Sequence, residues 1–171
     1  MQWSEVIHDP TLRNLPYKIE LNKFGKIEMS PASNHHAIQQ ARLVRLLASI
    51  FLDGEIASEC SVATRLGVKV ADVVWMSPDF LQEHEVQTPY SQAPELCIEI
   101  LSPSNSDVEM QEKIALYLEH GAQEVWIVAE DNSISMYGED GRRNVSSFVK
   151  VEGTPSISTP SKAKVHTRER E

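Results

Sequence analysis

The chain has 171 residues, 41% of them hydrophobic, and a formal net charge of −9 at pH 7, which suits one packed domain rather than two. That acidic balance disfavours a tight nonspecific nucleic-acid binder, because such proteins carry a basic footprint. No apolar run approaches the roughly 20 residues of a membrane helix, and Met1-Gln2-Trp3-Ser4-Glu5 lacks the basic-then-apolar order of a secretory leader, so a cytoplasmic protein with no membrane partner is expected.

Trp3 to His8 reads as a short helix opened near Ser4. "YKIELN" and "GKIEMS" alternate on either side of Lys23-Phe24-Gly25, the pattern of a hairpin. From Asn34 onward, Ile38, Ala41, Leu43, Leu46, Leu47 and Ile50 form a helical stripe that Gly54 ends. "ECSVAT" and "VKVADVVWM" read as strands, and Pro78-Asp79-Phe80 begins a loop or single helical turn that lasts to Pro94. "ELCIEIL" is nearly continuous in apolar residues, so a central strand covered on both faces is expected. Ser106 and Glu109 have capping-box spacing, and Gly121 closes the helix that they open. "EVWIVA" reads as a buried strand, and "SISMYG" with "VSSFVKV" as a final hairpin around Glu139-Asp140-Gly141. The sum is an α/β fold: a mixed, twisted sheet flanked by two main helices, with hairpins at its periphery, over residues 1–153. Residues 154–171 are expected to form a peripheral segment and a mobile tail. Cys60 and Cys97 have no ligand-like spacing and are expected to be buried free thiols.

Three charges interrupt this pattern. Glu99 shares a strand face with Cys97 and Leu101, and Asp72 is expected to share one with Val70 and Val74. Lys113 lies three residues after Met110, three before Leu116 and four before Tyr117, on the apolar side of its helix. A lone buried carboxylate neutralises or finds a partner, so two acids in two apolar strands suggest adjacent strands presenting them to one spot. With an ammonium beside them, such a set suits metal-assisted phosphodiester hydrolysis: hard oxygen donors hold Mg²⁺ or Mn²⁺, and the lysine steadies water or developing charge. The same residues also suit a buried Asp–Lys–Glu network that fixes strand register and does no chemistry. Spacing alone leaves both open.

"VKVADVVW", then "PELCIEILSPSNSD", then "EKIALYLEHGAQEVWIV" resembles the PD-(D/E)XK nuclease superfamily, most closely its Uma-two branch of restriction-endonuclease-like proteins. "GKIEMSPASNHHAI" resembles the opening segment of the same branch, so the likeness runs from Tyr17 to Val128. It implies a restriction-endonuclease-like fold, with Asp72 and Glu99 as metal ligands and Glu28 as a further candidate acid. It implies Lys113 as the catalytic lysine, moved onto the helix because Leu101 stands where the wider superfamily has it. Tyr117 and His36 match supporting positions, although His36 also suits a cap or a surface role. Ala71 stands where proline often precedes the aspartate.

The implied activity is a Mg²⁺- or Mn²⁺-dependent endonuclease acting on DNA. Binding would be weak and salt-dependent through Arg42, Arg45, Arg65, Lys69 and the Lys162–Arg170 tail, and a homodimer would suit cutting of both strands. Ser102, Ser104, Asn105 and Ser106 form a loop that suits either phosphate or a plain turn and cap. Trp75 and Trp126 read as core. The rival reading is a non-enzymatic interaction domain that keeps the fold and a structural ionic cluster.

Overall fold

In the computed structural model, residues 1–149 are described except Ala32 and Ser104. The expected tail, with its Lys162–Arg170 cations, therefore lies outside the described residues, as does Ser104 of the expected phosphate loop. Thirteen elements run through the described residues. Helix α1 (Trp3–His8) and a short 3₁₀ turn (Pro10–Leu12) lead into β1 (Tyr17–Asn22) and β2 (Ile27–Pro31). Then come α2 (Asn34–Ile50), β3 (Glu55–Thr64), β4 (Gly67–Met76), α3 (Pro78–Glu83) and β5 (Leu96–Ile100). The chain continues through α4 (Asp107–Glu119), β6 (Glu124–Val128), β7 (Ile134–Gly138) and β8 (Gly141–Arg143).

Local chemistry accounts for the helix starts. Ser33, Ser77 and Ser106 cap α2, α3 and α4, each accepting a backbone N–H from three residues on. The apolar stripe of α2 puts Leu43 and Leu47 against Val73, Trp75, Leu96, Ile98 and Trp126 on one face of the sheet. On the other face, α4 sets Met110, Ile114 and Tyr117 against Cys60, Val62, Val74 and Cys97. Both faces of β5 are thus covered, as its apolar run requires. Trp75 and Trp126 are core residues, as expected.

Among the described residues, eight strands form one sheet, ordered β2-β1-β4-β5-β6-β7-β8, with β3 pairing β4. β5 and β6 are parallel and α4 connects them; the other named pairs are antiparallel. β3 runs along one edge of β4 from Gly67 to Met76. On the other edge, β1 pairs at Gly67 and Val68, and β5 pairs at Val73 to Trp75. The edge between, residues 69–72, therefore faces a gap where β1 and β5 splay apart. Gly67 has φ +104°, and a Cβ there would collide with the Leu21 carbonyl, so glycine admits β1 at this point.

One expectation changes. The last hairpin does turn at Glu139 and Asp140, but its second strand is Gly141–Arg143 rather than "VSSFVKV". Residues 146–149 of that stretch are instead tied to the buried carboxylate of Glu124, which accepts from Ser146 Oγ at 2.6 Å and Ser147 N at 3.0 Å. The β1–β2 hairpin forms one border of the sheet, as expected, with β2 at the edge and β1 between β2 and β4.

Candidate active site

Asp72 does not follow the alternation expected of its strand. Ala71 and Val74 pack under α4, while Val73 and Trp75 pack under α2. Residues three apart cannot share a face in a regular strand, so the pleat slips by one residue between them. The partner strand slips with it: the register runs Ser58↔Val73 and Cys60↔Ala71 and skips Glu59 opposite Asp72. Glu59 is left-handed, with φ +54°, a conformation that non-glycine residues adopt at a cost. Gln40 of α2 covers the slip, its Nε2 donating to the Asp72 carbonyl at 2.8 Å and to Glu59 Oε1 at 2.7 Å.

The slip turns the Asp72 side chain into the gap. Its Oδ2 accepts the Ile100 N–H of β5 at 2.7 Å, where the β4–β5 ladder has ended. At the other end of the gap, Glu20 Oε1 of β1 accepts the Val70 N–H of β4 at 2.9 Å. Two carboxylates thus serve backbone donors that the splayed strands leave without a ladder partner. Glu99 reaches the same gap from β5, facing α4 as its strand phase predicts. Tyr117 donates to Glu99 Oε1 at 2.7 Å, and Lys113 Nζ lies 3.3 Å from both Glu99 oxygens and 2.8 Å from Glu20 Oε1.

Sequence reading missed the cation at the centre. Lys18 of β1 places its ammonium 2.7 Å from Asp72 Oδ1 and 3.0 Å from Glu99 Oε2. It also missed Glu20, Glu59 and Gln40. A signal was present in "YKIELN", where Lys18 and Glu20 stand two apart and so share a strand face. It passes for a solvated face unless β1 is known to be interior.

The result is an alternating chain of charge. Glu28 meets Lys69 at 3.3 Å, Lys69 meets Glu20 at 3.6 Å, and Glu20 leads through Lys113 to Glu99. From Glu99 it passes through Lys18 to Asp72, whose Oδ1 is 3.2 Å from His36 Nε2. Asp72, Glu99, Lys113 and Glu20 are all buried. Glu28 sits at the outer end with its side chain 50% exposed, away from the spot where Asp72 and Glu99 meet. Lys69 is buried within this chain of charge, while Arg65 stays on the surface, paired with Glu119 at 2.8 Å. Asn105 Oδ1 accepts from Ser102 N and Oγ, and Ser106 caps α4, so these loop residues make the turn and cap.

Burial and charge divide the acids. Burial raises the Asp72 carboxyl, but Lys18 and His36 outweigh it and hold the pKa well below the usual range. Glu20 is likewise lowered, burial being overcome by Lys113 and Lys18. Burial prevails at Glu99 and leaves its pKa raised despite Lys113 and Lys18. Burial works against both ammoniums, yet Glu99 and its fellow acids leave Lys18 and Lys113 with raised pKa values. His36 is raised chiefly by its bond to Asp72.

Asp72, Glu99, Lys18, Lys113 and His36 line a cleft of about 270 Å³ between β1, α2 and the loop before α4. The donors suit a hard divalent cation: carboxylate oxygens with one imidazole, and a position between Asp72 and Glu99 that already holds a positive charge. Ligand atoms of His36, Glu59 and Asp72 also lie within 4.8 Å of one another, so these two neighbours of Asp72 could complete such a set.

A mixed sheet with acids meeting at a splayed strand pair, between two flanking helices, defines a restriction-endonuclease-like fold. A family model described as Uma2, putative restriction endonuclease, matches residues 7–162, and the chain belongs to that family. A crystal structure described as a putative nuclease belonging to DUF820 from Anabaena variabilis ATCC 29413 is similar at a TM-score of 0.71 and 22% identity. The match covers 92% of this chain and 95% of that one, a likeness of fold. No curated protein matches the chain. Among the described residues, no helix is long and apolar enough to cross a membrane.

Proposed function

We propose that this protein is an endonuclease that hydrolyses DNA phosphodiester bonds with Mg²⁺ or Mn²⁺ held by Asp72 and Glu99. One observation carries the reading. Carboxylates from adjacent strands converge on a single cation position, marked by Lys18 Nζ at 2.7 and 3.0 Å, with the buried Lys113 ammonium beside it.

A bound divalent cation supplies charge to polarise a phosphoryl oxygen and acidify a water. The protein's own groups do the rest. Lys113, oriented by Glu20 and Glu99, offers a fixed ammonium where negative charge develops on phosphorus oxygens. Tyr117 holds Glu99 by its hydroxyl and so sets the direction of that carboxylate. His36, at the cleft wall and bonded to Asp72, can donate to a phosphate oxygen. A cleft of about 270 Å³ admits one phosphate with its sugar edge and no duplex, so DNA lies across the mouth. Cutting both strands would suit a two-fold pair of copies.

The test is nicking of supercoiled plasmid by purified protein with Mn²⁺, beside an EDTA control and Asp72→Asn. Metal-dependent nicking lost in Asp72→Asn supports the reading. Folded wild type that neither nicks nor binds Mn²⁺ overturns it. One observation favours the rival, an interaction domain with a structural ionic cluster: each acid of the chain of charge is already paired by the protein's own cations. A structural network costs only stability when broken, with no metal and no turnover to lose.

A further inference from the structure

Lys18 stands where hydrolysis has no use for it. Its ammonium makes hydrogen-bond contact with Asp72 Oδ1 and Glu99 Oε2 at once, at 2.7 and 3.0 Å. A divalent cation drawing on the same two oxygens at about 2.0–2.6 Å would overlap that ammonium and repel it. The two cations exclude each other. The two lysines also differ in freedom. Lys113 is held by Glu20 and Glu99 beneath α4 and is buried. Both lysines line the cleft, but the Lys18 side chain is 12% exposed against 5% for Lys113, and it follows the exposed Tyr17 in β1.

We propose that Lys18 is the resident cation of the site, and that a divalent metal enters only by exchange, the Lys18 side chain swinging out into the open cleft. The proposal rests on the metal reading given above. It makes Lys18 a positioning residue with two states. Bound between the acids, it keeps them together and in place without metal. Displaced, it leaves the metal with both carboxylates and carries its charge to the mouth, where a phosphate would approach. Metal affinity is then set by a competition within the protein, weaker than the acids alone would give.

Two measurements test this. In wild type carrying ¹⁵N-lysine, Mg²⁺ is added while the ammonium signals are followed, Lys18 being assigned by its loss in Lys18→Met. The Lys18 signal should lose its protection from solvent exchange, and the Lys113 signal should shift and persist. Calorimetry with Mn²⁺ should give Lys18→Met an affinity at least about tenfold tighter than wild type, since charge-assisted hydrogen bonds no longer break on binding. Without metal Lys18→Met should melt lower than wild type, and Mn²⁺ should raise its melting temperature more. If Lys18→Met does not fold without metal, Lys18→Arg, which keeps the charge and removes the lysine signal, supplies the assignment and the wild-type spectra decide. Equal Mn²⁺ affinities, or Mg²⁺ binding with the Lys18 signal unmoved, overturn the exchange and leave the metal reading standing. Failure of both proteins to bind Mn²⁺ at millimolar concentration overturns the metal reading and the exchange with it.

Discussion

Asp72 and Glu20 stand at opposite ends of one gap in the sheet, and each accepts a main-chain N–H there: Ile100 N at 2.7 Å and Val70 N at 2.9 Å. Groups proposed for chemistry, or close beside it, are therefore also members of the strand ladder. Their removal has a structural cost apart from any catalytic one, and the variants must be chosen to separate the two.

Asp72→Ala leaves the Ile100 N–H without its acceptor and the Lys18 ammonium with Glu99 alone. It should destabilise the protein by about 3–5 kcal/mol, the usual scale for breaking a buried ion pair from one side. Asp72→Asn keeps an oxygen for Ile100 and should cost clearly less. Both should abolish nicking. Urea unfolding beside plasmid assays checks this, and equal stabilities for the two variants would mean that the amide acceptor role is minor.

Lys113→Met conserves bulk and removes the ammonium between Glu20 and Glu99. Mn²⁺ affinity should stay level or rise, because a repelling charge has gone, while cleavage falls by about 10²-fold or more. Calorimetry and nicking on refolded, monodisperse protein read the two effects apart. Parallel loss of metal binding and cleavage would make Lys113 a support of the acids rather than a catalytic residue.

Tyr117→Phe deletes one hydroxyl and leaves the ring packed between α4 and the sheet. The lost bond to Glu99 should cost about 1.5–3 kcal/mol, the range for hydrogen bonds to charged groups. Cleavage should drop less than in Lys113→Met, since Glu99 keeps both ammoniums. Thermal melts showing no change would mean that Glu99 is held without Tyr117.

Burial pushes the Cys60 thiol up to about 12, and raises that of Cys97 as well. Thiolate is the reactive form, and a raised pKa keeps both thiols neutral until the pH approaches the folded value. Iodoacetamide at pH 8 should therefore label neither cysteine in the native protein and both in urea. Mass spectrometry reads the outcome, and rapid native labelling of Cys60 would mean that β3 opens.

What was legible in the sequence depended on local periods. Lys113 and Tyr117 lie one turn apart on a helix whose apolar side is plain, so their common direction could be read from spacing. Glu99 keeps strand phase with Cys97 and could be placed the same way. Asp72 could not be placed, because the slip depends on a left-handed Glu59 in another strand, where no glycine or asparagine marks it. Lys18 and Glu20 were hidden for a different reason. Their alternation in β1 suits a solvated hairpin, and only tertiary pairing with β4 shows which arm is interior. The weight given to Glu28 follows from the same ambiguity, since β1 and β2 alternate alike and only one borders β4.

The charged centre is assembled from distant parts of the chain: Lys18 and Glu99 are 81 residues apart, and Glu20 and Lys113 are 93 apart. During synthesis, β1 through β5 can emerge with all three acids while Lys113 is still within the ribosome. Domains close as units once their long-range contacts are complete. The acids thus gain their second ammonium last, and a chain truncated before α4 carries the means to hold charge without the geometry to apply it. The finished centre therefore forms only once α4 has joined the sheet, which confines the proposed activity to chains that extend past α4.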